Sequence, residues 1–196
     1  CPDPAAAGDL RALPGDVRVE RLDVTAQDQI NALADALAAE AIDLLLLNAG
    51  VHLQKDCTLA TLDPVRWLEE LRVNVIAPIM VARRFVPHVA RSRERRIVAM
   101  SSSLGSHAMV RAGSNHAYRS AKAALNMALG VMALELKEQG ITVVPVAPGM
   151  TRTDMGGPDA PFSAEDSVAH VRRTIAGLRP GDTGRFLSRD ASALPW

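Results

Sequence analysis

Ile42-Asp43-Leu44-Leu45-Leu46-Leu47-Asn48-Ala49-Gly50 decides the reading of this chain. The apolar run is short and ends on a turn signal, so it reads as a strand buried on both faces. Such strands belong to parallel sheets with helices packed on either side.

The flanking sequence supports this. On the N-terminal side, Val17-Arg-Val-Glu-Arg-Leu22 alternates apolar and polar residues and predicts a strand, ended by Asp23-Val24-Thr25. Ile30, Leu33, Ala34, Leu37 and Ala38 recur at helical spacing, which predicts a helix over 27–39. A short Ala-rich helix is expected from Pro4 to Leu13, before the Pro14-Gly15-Asp16 turn.

On the C-terminal side, Asp63-Pro64 is a helix start, with the acid as cap and proline in the first turn. That helix is expected to reach about Arg91, with Pro78 and Pro87 as kinks. A strand over Arg96 to Ser101, a Ser/Gly-rich loop over 102–114 and a helix from Asn115 to Gln139 closed by Gly140 follow. Ile141 to Val146 is a further strand, broken by Pro148-Gly149, and residues 150–162 read as a mobile loop. Ser163-Ala-Glu-Asp166 opens a last helix with the stripe Val168, Val171, Ile175 and Leu178, and a final strand is expected over 184–188.

Strand and helix alternate from end to end, which predicts a single domain over 1–196 of the doubly wound α/β class, with a parallel sheet. Ligands of such sheets sit outside the carboxyl ends of the strands. The informative residues are therefore Asp23, Asn48 to Gly50, Ser101 to Ser103 and Pro148 to Thr153.

Composition narrows the function classes. The 196 residues carry 22 acids and 22 bases, a net charge of zero, which argues against a general nucleic-acid binder. No apolar run approaches the ~20 residues of a membrane span. Two cysteines, Cys1 and Cys57, cannot form a disulfide scaffold, which suits a reducing compartment and a cytoplasmic location. There is no signal-peptide layout, and the reading assigns no metal site. The chain opens at Cys1 without a methionine, as expected of a fragment, a processed form or a trimmed chain.

Tyr118 and Lys122 share one face of a helix, about one turn apart. A phenol is a poor base at pH 7. An ammonium ~4 Å away, at an effective dielectric of ~20, favours the phenolate by roughly 4 kcal/mol before desolvation. That is about three pKa units, enough to bring the group near neutrality. Alone, the pair is a weak signal, and more often marks an interfacial tyrosine beside a surface lysine. Tyr118 is the only tyrosine, and lysines number three against nineteen arginines, which raises the weight of the pair. The serines after the 96–101 strand could donate to a substrate oxygen or simply form a turn. Asn48-Ala49-Gly50 could let the backbone approach a flat ligand, or be only a turn.

The ordered set Asp23-Val24, Asn48-Ala49-Gly50, Asn74 in Arg-Val-Asn-Val, Ser101-Ser102, Tyr118 to Lys122, and Pro148-Gly149 to Thr153 resembles the short-chain dehydrogenase/reductase family. Gly105-Ser106-His107, Tyr118 to Asn126, Pro148 to Met155 and the Leu194-Pro195-Trp196 end look like its C-factor-like group. The resemblance implies a Rossmann-like fold and an NAD(P)-dependent oxidoreductase that moves a hydride between the cofactor and a carbonyl/alcohol substrate. It implies that Tyr118 exchanges a proton with the substrate oxygen. Lys122 would lower the tyrosine's pKa and hold the nicotinamide ribose. Ser102 would polarise the carbonyl, with Ser103 as substitute, and Asn74 would hold a water in the proton path. Asp23 and Val24 would border adenine, and Asn48, Ala49 and Gly50 would line the adenosine side. Pro148, Gly149, Thr151 and Thr153 would lie toward the carboxamide. His107 and His116 are expected to be loop or surface residues. Association as a homodimer through the helices near 64–91 and 115–139 is also implied.

The chain departs from the family at its start. The family begins with a strand, a Gly-x-x-x-Gly-x-Gly turn and a helix whose N-terminus holds the pyrophosphate. No such glycine motif occurs here, so an N-terminally truncated fold lacking about one βα unit is expected. Pro2 stands where NADP-preferring members often carry a basic residue, so the choice of NAD or NADP is not legible. The glycine-free start leaves a rival reading, a catalytically silent member acting as a binding or signalling module. Isomerase or dehydratase chemistry is a third reading, disfavoured by the short C-terminal part.

Overall fold

The computed structural model describes residues 8–196. The N-terminal part of the helix expected from Pro4 lies outside the described residues, and Gly8–Arg11 forms a single helical turn, α1. The remaining elements are α2 (Gln27–Ala36), β1 (Leu44–Leu47), α3 (Pro64–Leu71), α4 (Ala77–Ala90), β2 (Arg96–Met100), α5 (His116–Glu135), β3 (Thr142–Ala147), α6 (Ala164–Ala176) and β4 (Leu187–Ser188). The four strands form one parallel sheet in the order β1-β2-β3-β4. Helices flank both faces of this sheet, as the doubly wound reading expects.

Side-chain alternation divides the core in two. Ile97 and Ala99 of β2 and Val143 of β3 join Phe85 and Val89 of α4, Leu125 and Leu129 of α5, and Ile30 and Ala34 of α2. Val98, Val144 and Val146 point the other way and meet Val171 and Ile175 of α6 with Leu178 and Leu187. β3 is buried along its whole length.

Two expectations about strands are corrected. Residues 17–22 form no strand. Among the described residues no strand lies beside this stretch, and a strand needs a neighbour to complete its ladder; Leu22 and Val24 pack against the core of the α2 side. β1 is not buried on both faces either. Leu45 and Leu47 face the core, but Leu44 and Leu46 are 37% and 43% exposed. The cluster around α6 takes in β2, β3 and β4 but no residue of β1, and among the described residues β1 has a ladder partner on one edge alone. Beside that free edge lies an apolar groove of about 320 Å³ lined by residues including Leu22, Val24, Leu37, Leu46 and Phe85.

The long helix around residues 63–91 is interrupted where the site begins. Asp63 caps α3, its Oδ1 accepting from Val65 N at 2.8 Å and Arg66 N at 3.3 Å. Arg72–Ile76 then forms a π-helical turn, with Ala77 N–H bonded back to Arg72 O, before α4 continues. Pro78 explains the widening: it has no N–H to return to the carbonyl of Asn74 four residues back. Such turns recur at functional sites, and this one turns Asn74 fully inward. Pro87 sits inside α4 without ending it.

Residues 150–162 are closed by their own bonds: Arg152 N donates to Phe162 O at 2.8 Å, and its guanidinium donates to Ala160 O at 2.9 Å. Ser163 caps α6 through Asp166 N at 3.0 Å. Among the described residues no helix is long and apolar enough to cross a membrane.

Candidate active site

Ser102, Tyr118, Lys122 and Asn74 come together at the carboxyl end of β2. Two glycines make this possible. Gly105 follows Ser102 in a tight turn against α5, where a Cβ would stand 2.7 Å from the backbone of Lys122. Gly50 sits between Asn74 and Lys122, and a Cβ there would lie 3.0 Å from Asn74 Oδ1 and 3.7 Å from Lys122 Nζ.

Ser101 is a structural residue. Its hydroxyl bonds to Asn126 Oδ1 at 2.6 Å, and Asn126 reaches Gly105 O at 3.5 Å, so α5 fixes the serine loop from below. Ser102 Oγ accepts from Leu104 N at 3.2 Å and lies close enough to Tyr118 to act on its phenol. Asn74 clamps the loop after β1: its Oδ1 accepts from Val51 N at 2.9 Å and its Nδ2 donates to Val51 O at 2.8 Å.

The electrostatics differ from the expectation. Lys122 Nζ stands 5.6 Å from the Tyr118 ring centre and donates to Met100 O at 2.8 Å. Burial raises the Tyr118 phenol above its ordinary value, the Ser102 hydroxyl lowers it in part, and the charge of Glu70 raises it further. Desolvation therefore sets the direction of the shift. Burial also lowers Lys122, from 10.5 to about 8.

That shift has a consequence for stability. The depressed folded-state value means that protonation of Lys122 disfavours the fold. The cost is fully present below about pH 8 and disappears as pH rises toward 10.5. At about 1.36 kcal/mol per unit the ceiling is about 3 kcal/mol at pH 7, reduced by loss of the Met100 bond. Lys122→Met is accordingly expected to be about 1–2 kcal/mol more stable than the parent at pH 7. The gain should vanish near pH 10.5. Urea melts at the two pH values check this, and a destabilised variant at pH 7 contradicts it.

The remaining expected residues stand around this centre. Val24, Asn48 and Ala49 line the groove beside β1. The Asp23 carboxylate is held below its ordinary value by Thr25, whose N and Oγ1 both donate to Oδ1 at 2.8 Å. Pro148, Gly149, Thr151 and Thr153 follow β3. Ser167 of α6 ties this segment down, its Oγ donating to Pro148 O at 2.8 Å and lying 3.1 Å from Thr151 Oγ1. Thr153 Oγ1 accepts from Gly156 N at 3.1 Å. His107 is exposed and His116 half-buried, in keeping with surface roles.

The sequence reading misses three residues. His52 stacks on Tyr118, with ring centres 4.4 Å apart and planes at 28°. Asn115, left-handed at φ 58°, places its Oδ1 3.2 Å from His52 Nε2. Glu70 is fully buried, and its Oε1 accepts from Leu53 N at 2.8 Å and Gln54 N at 3.0 Å. No local pattern announces them, because all three act across segments far apart in sequence.

Comparisons with known proteins agree with this arrangement. The family model for short chain dehydrogenases matches residues 3–162. The C-signal of Myxococcus xanthus is 36% identical over 167 residues, covering 85% of this chain and all of that protein. The carbonyl reductase Sniffer of D. melanogaster superposes with a TM-score of 0.93 at 28% identity, covering 100% of this chain and 86% of its own. The NADPH-bound carbonyl reductase from chicken fatty liver superposes at 0.82 with 27% identity, covering 90% of this chain and 76% of its own. The chain belongs to the short-chain dehydrogenase family.

Proposed function

We propose that this chain is an NAD(P)-dependent oxidoreductase that transfers a hydride between the nicotinamide cofactor and a carbonyl/alcohol substrate. The observation that carries the reading is the meeting of Ser102, Tyr118 and Lys122 with Asn74 around Gly50. Relatives solved with bound NADP or NADPH support the cofactor class.

The nicotinamide-ribose end fits the residues present. Lys122 is a buried ammonium with three N–H groups, one of them given to Met100 O. The others are available to ribose hydroxyls, and Gly50 keeps the approach clear. The pyrophosphate end is different: among the described residues there is no glycine-rich turn opening a helix. When bound, the cofactor supplies the hydride. Ser102 donates to the substrate oxygen and polarises the carbonyl. Tyr118, held as the neutral phenol by burial, gives its proton to that oxygen. Lys122 then favours the phenolate left behind. The Asn74 carbonyl, to which Pro78 returns no N–H, supports a water in the proton path. Asp23 and Val24, Asn48 to Gly50, and Pro148 to Thr153 would contact the rest of the cofactor. The direct test is reduction of a carbonyl panel with NADH and NADPH, with the Tyr118→Phe variant as control.

A second reading, a silent member that binds or signals, is favoured by the match to the whole length of the protein named C-signal. The retained Ser102, Tyr118 and Lys122 favour the enzyme, since a silent protein needs none of them.

A homodimer belongs to the same proposal. Val65 and Leu68 of α3 and Met127, Val131 and Leu134 of α5 expose apolar side chains at helical spacing, with Val65 and Leu134 each 75% exposed. Adjacent apolar residues of this kind mark interaction surfaces. Sedimentation at micromolar concentration is expected to give the dimer mass, and Leu68→Glu with Leu134→Glu to give the monomer. A monomeric parent contradicts the interface.

A further inference from the structure

The loop after β1 is held unusually firmly for a surface connection. Asn74 bonds both backbone groups of Val51, and Glu70 bonds the N–H groups of Leu53 and Gln54. Residue 52 lies between these clamps, and its imidazole packs on the Tyr118 ring at 4.4 Å. The ring is held from its other end as well. Asn115 Oδ1 accepts from Asp56 N at 3.0 Å, which fixes that atom as the oxygen. The His52 Nε2 opposite it at 3.2 Å must then be the donor. Asn115 makes both contacts from a left-handed backbone conformation immediately before α5, three residues before Tyr118. Asparagine is one of the few non-glycine residues that enter that conformation readily.

We propose that His52 is a positioning residue for proton transfer, its imidazole anchored by Asn115 and packed on Tyr118 so that the phenol stays against Ser102 and away from water. The catalytic consequence rests on the oxidoreductase reading; the packing does not. Excluding water from one ring face disfavours the phenolate and keeps Tyr118 as the proton donor, which suits reduction of a carbonyl over oxidation of an alcohol. Besides His52, the titratable groups facing the phenol are Glu70, whose charge works in the same direction, and Lys122, whose Nζ stands 5.6 Å from the ring centre.

Tyr118 is the only tyrosine in the chain, so its ionisation can be followed directly by phenolate absorbance. The parent is expected to titrate above the ordinary value of 10.0. His52→Ala should lower the midpoint by about one pH unit, a tenfold gain in acidity. His52→Phe, which keeps the stacked ring, should retain most of the elevation. Asn115→Gly suits the left-handed backbone while removing the anchor, and should fall between. Circular dichroism at each pH confirms that the folded protein is being read. An unchanged midpoint in folded His52→Ala overturns the proposal. If that variant does not fold, an unchanged midpoint in Asn115→Gly does so. Failure of a chain extended by the family's glycine-rich unit to reduce any carbonyl would refute the enzymatic reading and leave the titration result standing.

Discussion

Tyr118→Phe leaves the fold intact and lowers turnover by at least about 100-fold, the lower end of what a general acid contributes. The substitution removes one oxygen from a buried residue whose ring stacks on His52, so the aromatic contact survives. What disappears is the proton at the position where Ser102 meets it. Lys122 cannot replace it, since its Nζ is turned to Met100 O. The assay is best made on a chain extended ahead of Cys1 by the strand, glycine-rich turn and helix with which the family begins. Steady-state reduction of a good carbonyl substrate, with thermal melts of both proteins, checks the expectation. Near-parental turnover in the phenylalanine variant would remove Tyr118 from the mechanism.

The second large effect concerns cofactor affinity. Residues 1–196 by themselves are expected to bind NAD(P) more than about 100-fold more weakly than the extended chain. Each charge-assisted bond from a backbone N–H to the pyrophosphate is worth roughly 1.5–3 kcal/mol. Two or three of them amount to about 3–6 kcal/mol, and about 1.4 kcal/mol is a tenfold change. The free edge of β1 adds to this. Leu44 and Leu46 are exposed on a strand that, among the described residues, is paired along one edge alone beside an apolar groove, so the 196 residues should also aggregate on warming. Calorimetric titration of both chains with NAD and NADP measures the difference. Micromolar binding by the 196 residues, with a cooperative melt, would show that the glycine turn is dispensable.

Much of the fold was legible because local signals and packing agree. Asp63-Pro64 and Ser163 to Asp166 mark helix starts through side-chain caps on backbone N–H groups, and they do so in the structure, while Gly140 closes the short turn that follows α5. The strands at 96–100 and 142–147 carry enough apolar residues for both faces, and both faces are covered. Residues 17–22 have the strand pattern as well, yet pattern gives only a preference; the ladder needs a neighbour that the described residues do not supply. The leucines of β1 fail in the same way on one face. At the site, motif order located Asn74, Ser102, Tyr118 and Lys122. The π-helical turn that aims Asn74 was not foreseen, although Pro78 is its cause. The pKa direction of Tyr118 was missed because spacing along a helix gives the distance to a charge but not the depth of burial. His52, Glu70 and Asn115 contact the site through tertiary packing, which no window of sequence contains.

The most direct test follows the hydride itself. The extended chain is given a carbonyl panel with NADPH and NADH deuterated at the transferable position, and the alcohol products are analysed by mass spectrometry. The account predicts a deuterium on the carbinol carbon of at least one product, formed by the parent and suppressed about 100-fold or more in Tyr118→Phe. A chain that binds the cofactor yet transfers no deuterium to any carbonyl, or transfers it equally without the phenol, would contradict it.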